Sequence, residues 1–575
     1  MRLYRLTKAW LWVGASAFVQ AAAAATAAGS TVPTFNRDMA PIIFKHCATC
    51  HRPGQSGPFS LLTFADLKKH GRQIAEVTAS RTMPPWLPER GYGEFVGDRS
   101  LTPQQIELFQ RWPVEGGLEG SPKDLRPMPE WVEEWQLGRP DLIVQLPEPY
   151  TLQAEGRDVY RNVVIPIPTD IRRYVKGVEF RPGNPKVMHH AFVNTDETRF
   201  SRRLAEKEMP PGFDGMELPE SAHMPGGQLL GWQPGKQASF SPAGLAWVLE
   251  KNTDMVLQMH LHPSGKSERV QPLVGFYFTD QPRTNTAFRL RLEQFKIDIP
   301  PGAKDYRIEQ SYLLPVDVTL LRILPHAHYL GKSLNVYATL PDGTLKWLLR
   351  IPRWDFNWQG DYGYKSPVLL PKGTTLKMDF TYDNSSDNVR NPSHPPKRVT
   401  FGLESTDEMA ACSLQVLPRN AEDRQKLAQD CYLESARVRL DYNEHILASD
   451  STNAVAHAKA GRACMALGKF NEALKHFRDA VRAQPDFAKA YYDIGSIWLS
   501  QNRPQEAEKA FLAVVRFDPD DYQAHGNLAI IYMKQGRLKN AENHLRIAIR
   551  LNPDDELARK NLEALLRARA GQEAP

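Results

Sequence analysis

The 575-residue chain reads as a multidomain protein: a small all-α unit, two all-β sandwiches and an all-α C-terminal solenoid. Three observations carry that reading. The length exceeds what one hydrophobic core organises, so three or four domains are expected. From about Leu142 to Leu417, short runs rich in Val, Ile, Tyr, Phe and Leu alternate with Pro, Gly, Asp and Asn turns, which is the texture of β structure. Pro-Asp pairs then recur at Asp486, Asp520 and Asp554, 34 residues apart, the period of a helical repeat.

The N-terminus reads as an export signal over 1–28. Arg2, Arg5 and Lys8 precede the apolar run Ala9–Val19, and an alanine-rich stretch ends near Ala28 with small-x-small cleavage options. The run is short for a bilayer span, and no later segment is apolar enough for one. The expectation is an exported, periplasmic protein with no transmembrane span in its mature chain; a retained signal would tether it to the inner membrane. The net charge of +6 is small for this length, and no basic stripe suggests nucleic acid as a partner. Of five cysteines, Cys47 and Cys50 belong to a motif. Export permits a Cys412–Cys431 disulfide, which the sequence leaves open, and Cys464 reads as a small buried residue in a helical repeat.

Cys47-Ala48-Thr49-Cys50-His51 is a C-x-x-C-H motif, the attachment signature of c-type haem. The two thiols would form thioethers and His51 would ligate the iron. The competing readings are a redox dithiol or half a zinc site, and no second C-x-x-C is present to complete the latter. Met83, in Arg81-Thr82-Met83-Pro84-Pro85-Trp86, is the candidate sixth ligand, its loop stiffened by proline. A Met/His pair suits electron transfer; plain packing is the alternative. A closing helix follows, with Thr102 as cap, Pro103 in the first turn and Gln105 completing a capping box. Ile106, Phe109 and Trp112 form its apolar stripe. Residues 30–120 thus resemble a small class I cytochrome c domain, and 121–140 form a proline-rich linker.

The β region divides by length into 141–285 and 286–420. Six of its eight histidines fall in doublets: His189-His190, His260-Leu261-His262 and His326-Ala327-His328. In a strand, i and i+2 share a face, and paired imidazoles suit copper or zinc. His189 and His190 cannot both point inward from a regular strand, so a bulge or strand end is expected there. Met409, in Asp407-Glu408-Met409, adds a soft ligand. His262 reads either as an outer partner of the site or as a surface residue. His223 and His394 lie in Pro/Gly-rich loops and read as non-ligands.

These motifs resemble the copper type II, ascorbate-dependent monooxygenases, the family of peptidylglycine α-hydroxylating monooxygenase and dopamine β-monooxygenase. The match comprises Met188-His189-His190, then Leu230-Gly231-Trp232 followed by Met259-His260, then His326-Ala327-His328-Tyr329-Leu330-Gly331-Lys332, then Asp407-Glu408-Met409. The resemblance implies two jelly-roll-like sandwiches with one copper each. His189, His190 and His260 would bind the electron-supplying copper. His326, His328 and Met409 would bind the catalytic copper, where O2 reacts. Two departures bear on substrate. The family's arginine two residues before His-x-His is Leu324 here, and its tyrosine four residues after the methionine is Ser413. Peptide amidation is therefore not expected.

A connecting helix at 421–450 leads to repeats at 451–570. Gly468, Asn502 and Gly536, and Ala473, Ala507 and Ala541, share the 34-residue interval. They resemble tetratricopeptide repeats, whose concave face holds a peptide or protein partner; a dimerisation or stability module is the alternative. The leading functional expectation is a copper-dependent monooxygenase acting on a small organic substrate with O2. A fused haem would deliver electrons from a donor the sequence does not name. The second is a non-catalytic periplasmic redox scaffold whose repeats recruit a partner.

Overall fold

The computed structural model describes residues 32–132, 134–208 and 212–572. The expected signal peptide lies outside the described residues.

The N-terminal unit is helical. A π-helical turn, Phe35–Met39, runs into the helix Ala40–His46, followed by Phe64–Ala79 and Pro103–Val114. Thr102 caps the last reciprocally: its hydroxyl accepts from Gln105 N at 3.2 Å, while its own N–H donates to Gln105 Oε1 at 2.8 Å. Phe109 and Trp112 then face Phe35, Met39, Ile43, Leu67 and Ile74 in one core. The proline-rich segment that follows docks through buried Trp135. The N–H groups of Gln136 and Leu137 also donate to the Glu179 carboxylate at 2.8 and 3.1 Å.

The middle of the chain is β-rich. In its first half a five-stranded antiparallel sheet has the order Phe213–Asp214, Val159–Pro166, Asp254–Leu261, Met188–Asp196, Gly231–Trp232. It shares an apolar core with a four-stranded sheet built on Leu273–Thr279 and Arg173–Arg181. The second half pairs two four-stranded antiparallel sheets. One has the order Phe288–Gln294, Ala410–Pro418, Val318–His326, Tyr362–Leu370. The other has the order Tyr306–Leu313, Thr375–Tyr382, Gly331–Thr339, Leu345–Ile351. Their facing side chains, among them Leu292, Ile323, Leu334, Phe380 and Leu414, form its core. Alternation does the sorting: odd-numbered residues of Phe288–Gln294 keep away from that core while Leu290 and Leu292 are buried in it.

The helix Ala421–Ser449 leads to three helix pairs that begin at Ala454, Ala488 and Tyr522, and then to Glu556–Gln572. These starts keep the 34-residue interval of the sequence. The interval has a steric basis. Gly468, Asn502 and Gly536 all take positive φ (73°, 56°, 74°) at the turn inside each pair, a conformation that glycine and asparagine tolerate. A Cβ at Gly461 or Gly495 would stand 2.7 or 2.9 Å from the ring of Phe477 or Phe511. Cys412 and Cys431 are both free thiols: Cys412 lies in the second β core, and Cys431 Sγ donates to the Tyr312 hydroxyl at 3.2 Å. Cys464 is fully buried. Among the described residues no helix is long and apolar enough to cross a membrane.

Candidate metal centres

His189 and His190 lie at the start of the strand Met188–Asp196, and His260 near the end of its partner Asp254–Leu261. The ladder pairs Met188 with Leu261 and then His190 with His260, with a register shift between. The shift accommodates His189 as an extra residue, so both adjacent imidazoles reach the same place. Their Nδ1 atoms form a triangle with that of His260: 3.1 Å between His189 and His190, 3.0 Å between His189 and His260, 3.3 Å between His190 and His260.

Outer partners decide where the protons are. His189 Nε2 lies 2.9 Å from the carbonyl of Asn357, which can only accept, so that nitrogen carries the proton. His260 Nε2 lies 3.0 Å from Asp158 Oδ2 and donates in the same way. Burial holds both rings neutral: it pulls His189 down to about 3 and also lowers His260. Two unprotonated Nδ1 lone pairs therefore face each other at 3.0 Å. His190, held well below its usual pKa by burial, could donate to only one of them. Such a cluster repels itself unless a cation sits among the nitrogens. Nitrogens about 2.0–2.1 Å from one ion, at angles between square and tetrahedral, stand about 2.9–3.4 Å apart, so the donor set fits a metal.

Asp158 also receives His262 Nδ1 at 2.7 Å. Burial opposes its ionisation, but the hydrogen bonds from His260 and His262 together hold it below the usual carboxylate range. His262 is thus tied to the trio through one carboxylate, and its ring also stands close enough to His189 and His260 for the three to share an ion.

The second group forms where two strands of the neighbouring sheet meet. His326 ends Val318–His326, and Met409 immediately precedes Ala410–Pro418, its ladder partner. Glu408 ties them together. Its buried carboxylate accepts the N–H groups of His328, of Leu330 at 3.0 Å and of Met409 at 2.8 Å, the first and last on the same oxygen. Burial pushes Glu408 up to about 8 against the pull of these donors. His326 Nδ1 donates to Gln359 Oε1 at 2.5 Å, and His328 Nδ1 to the Asp407 carbonyl at 3.1 Å. Both Nε2 atoms are left as the basic nitrogens. Burial lowers His326 to about 3 and His328 to about 4, so both stay neutral and able to ligate.

One cleft of about 420 Å³ joins the two groups. His190 and Tyr160 line it from the first β unit, and His326, His328 and Met409 from the second. Leu324 and Ser413, the two departures from the family pattern, line it too. A separate, mainly apolar cavity of about 400 Å³ is lined by Cys47, Cys50, His51 and Met83, and on its far wall by His189 and His262. His51 Nδ1 donates to the Phe59 carbonyl at 3.0 Å, which leaves Nε2 basic, as an iron ligand requires. Burial raises the Cys47 thiol to about 12.

The structure thus gathers His189, His190 and His260 at one point, His326, His328 and Met409 along one cleft, and Cys47, Cys50, His51 and Met83 around one cavity. His223 lines the cleft, although its Nδ1 bonds the Ser221 carbonyl at 3.1 Å. Asp158 and Gln359 escaped sequence reasoning. Asp158 lies two residues before Tyr160, which pairs with His260, and only the strand register could have pointed to it.

Two tetratricopeptide repeat families match residues 459–522 and 498–566, so the C-terminal helical stretch is a tetratricopeptide array. A solved structure titled "Crystal structure of MamA" is similar at 19% identity, covering 26% of this chain and 85% of its own, with a TM-score of 0.23. No curated protein matches the chain.

Proposed function

We propose that this chain is an exported, periplasmic copper-dependent monooxygenase that hydroxylates a C–H bond of an organic substrate with O2 and draws electrons through its own haem. The observation that carries the reading is the Nδ1 triangle of His189, His190 and His260, with two lone pairs facing at 3.0 Å. These three residues would hold one copper, and His326, His328 and Met409 the other. Cys47 and Cys50 would anchor the haem, with His51 and Met83 as its axial ligands, in a small cytochrome c domain. When bound, these groups supply single-electron transfer and O2 activation.

The chain's own residues prepare the sites. Asp158 and the Asn357 carbonyl keep protons on Nε2 of His260 and His189, so that Nδ1 ligates. Gln359 and the Asp407 carbonyl do the reverse for His326 and His328. The Glu408 carboxylate fixes the backbones of His328 and Met409 together. His189 and His262 line the cavity at Cys47, Cys50 and His51 while His190 lines the cleft, an arrangement that supports a trio between electron entry and substrate. Leu229, Leu324 and Phe192 give the cleft apolar wall against which a substrate displaces water. The tetratricopeptide array would recruit a peptide or protein partner.

The test is anaerobic reduction of the haem in copper-loaded protein, then stopped-flow mixing with O2. Haem reoxidation that requires copper and speeds with substrate is expected. Haem that stays reduced with copper and substrate present would sink the internal route. The repeat array also favours a second reading, a redox scaffold without catalysis, in which the haem forms but the histidine groups take up no copper.

A further inference from the structure

The cleft between the histidine groups carries a charge that the metal ligands do not explain. Arg289 and Arg291 both line it, from the edge strand Phe288–Gln294. Ladder pairing places them in rows across the sheet: Arg289–Gln415–Arg322, then Arg291–Ser413–Leu324, then Glu293–Ala411–His326. Strands stand about 4.8 Å apart and rise about 3.4 Å per residue. The Arg291 backbone is therefore about 10 Å across and about 7 Å along from His326, and Arg289 about 14 Å along.

The other cations of this wall each have a carboxylate partner, although two of them share Asp361. Asp361 is held by Lys236 at 2.8 Å and Arg322 at 2.7 Å. Arg291 pairs with Glu293 at 2.8 Å. Among the described residues Arg289 makes no ion pair or side-chain hydrogen bond. It keeps exposed surface because the cleft is open. Protein nevertheless surrounds the guanidinium closely enough that desolvation, and then Arg291, lowers its pKa. An unpaired, partly desolvated guanidinium fork is suited to a carboxylate. Cations outnumber carboxylates along this wall, which suits an anion.

We propose that Arg289, with Arg291 beside it, anchors the carboxylate of an organic substrate whose apolar remainder reaches along the cleft to His326, His328 and Met409. The inference rests on the functional reading above for which end reacts, but the anion site itself requires neither copper nor turnover. The apolar residues between the two ends, Leu324 and Leu229 among them, suit a hydrocarbon or aromatic tail. The carboxylate would be held at a distance from the reacting carbon.

The experiment is calorimetric titration of the full-length protein, copper-free and copper-loaded, with 4-phenylbutyrate, its carboxamide and inorganic phosphate. At least tenfold tighter binding of the acid than of the amide is expected, with phosphate weaker than the acid. The preference should fall below threefold in Arg289→Met and stay partly in Arg289→Lys, which keeps the charge without the fork. Acid and amide binding alike, or a preference that survives Arg289→Met in protein with an unchanged melting temperature, would overturn the assignment. Phosphate binding more tightly than the acid would also overturn it. If the acid preference holds but no copper is taken up, the anion site stands and the monooxygenase reading falls.

Discussion

Replacing Asp158 with alanine is the sharpest probe of the first histidine group, because one side chain governs two imidazoles without touching the metal position. The carboxylate accepts from His260 Nε2 at 3.0 Å and from His262 Nδ1 at 2.7 Å. With it gone, nothing holds the His260 proton on Nε2, and the tautomer protonated at Nδ1 presents N–H where a lone pair is needed. Loss of such an outer partner costs about 10–100-fold in metal affinity, or about 1.4–2.7 kcal/mol. The assay is competition for Cu(II) against a chromophoric chelator, with the nitrogen hyperfine pattern followed by electron paramagnetic resonance. One site should weaken by that factor, while the site at His326, His328 and Met409 stays within about twofold, since its outer partners are Gln359 and Asp407. An unchanged affinity in folded Asp158→Ala protein, or equal weakening of both sites, would refute the reasoning.

Three further outcomes follow from the same geometry. Glu408→Ala strands three N–H groups in the second β unit, at about 1–3 kcal/mol each, so its urea midpoint should fall sharply; a wild-type midpoint would contradict the clasp. In metal-free protein His189 and His326 titrate near about 3 and His328 near about 4, against 6.5 when unfolded. The unfolded chain then binds more protons below pH 6.5. The histidine contribution to stability is therefore full above that pH and lost as pH falls, by up to about 4 kcal/mol per pH unit for three groups, against about 1.4 gained through Glu408, whose folded value of about 8 lies above its unfolded 4.5; a flat urea midpoint between pH 7.5 and 5 would contradict this. Gly495→Ala forces a methyl to 2.9 Å from the Phe511 ring and should cost about 1–3 kcal/mol in the C-terminal array, read as a lower melting temperature of that transition; no shift would count against the close packing.

What the sequence disclosed depended on how local the physics was. The helix start at Thr102 was legible because its capping box needs only Thr102 and Gln105, three residues apart. The repeats were legible because each turn and each glycine–phenylalanine contact recurs at a fixed interval. The histidine doublets could be seen to share a face, and His189-His190 to need an irregular strand, from strand geometry alone. The protons could not be placed. Asp158 lies 102 residues from His260, and Gln359 lies 33 from His326, and only the folded ladder and loops bring them together. Arg289 was invisible for the same reason: its meaning comes from the ladder that sets it across the sheet from Arg322, in the cleft that His326 also lines.

Metal content of the purified full-length protein bears most directly on the central claim. Two coppers and one haem iron per chain are predicted, with one copper lost in His190→Ala and the other in Met409→Ala or His328→Ala. Iron alone, or copper uptake indifferent to these substitutions, would contradict it.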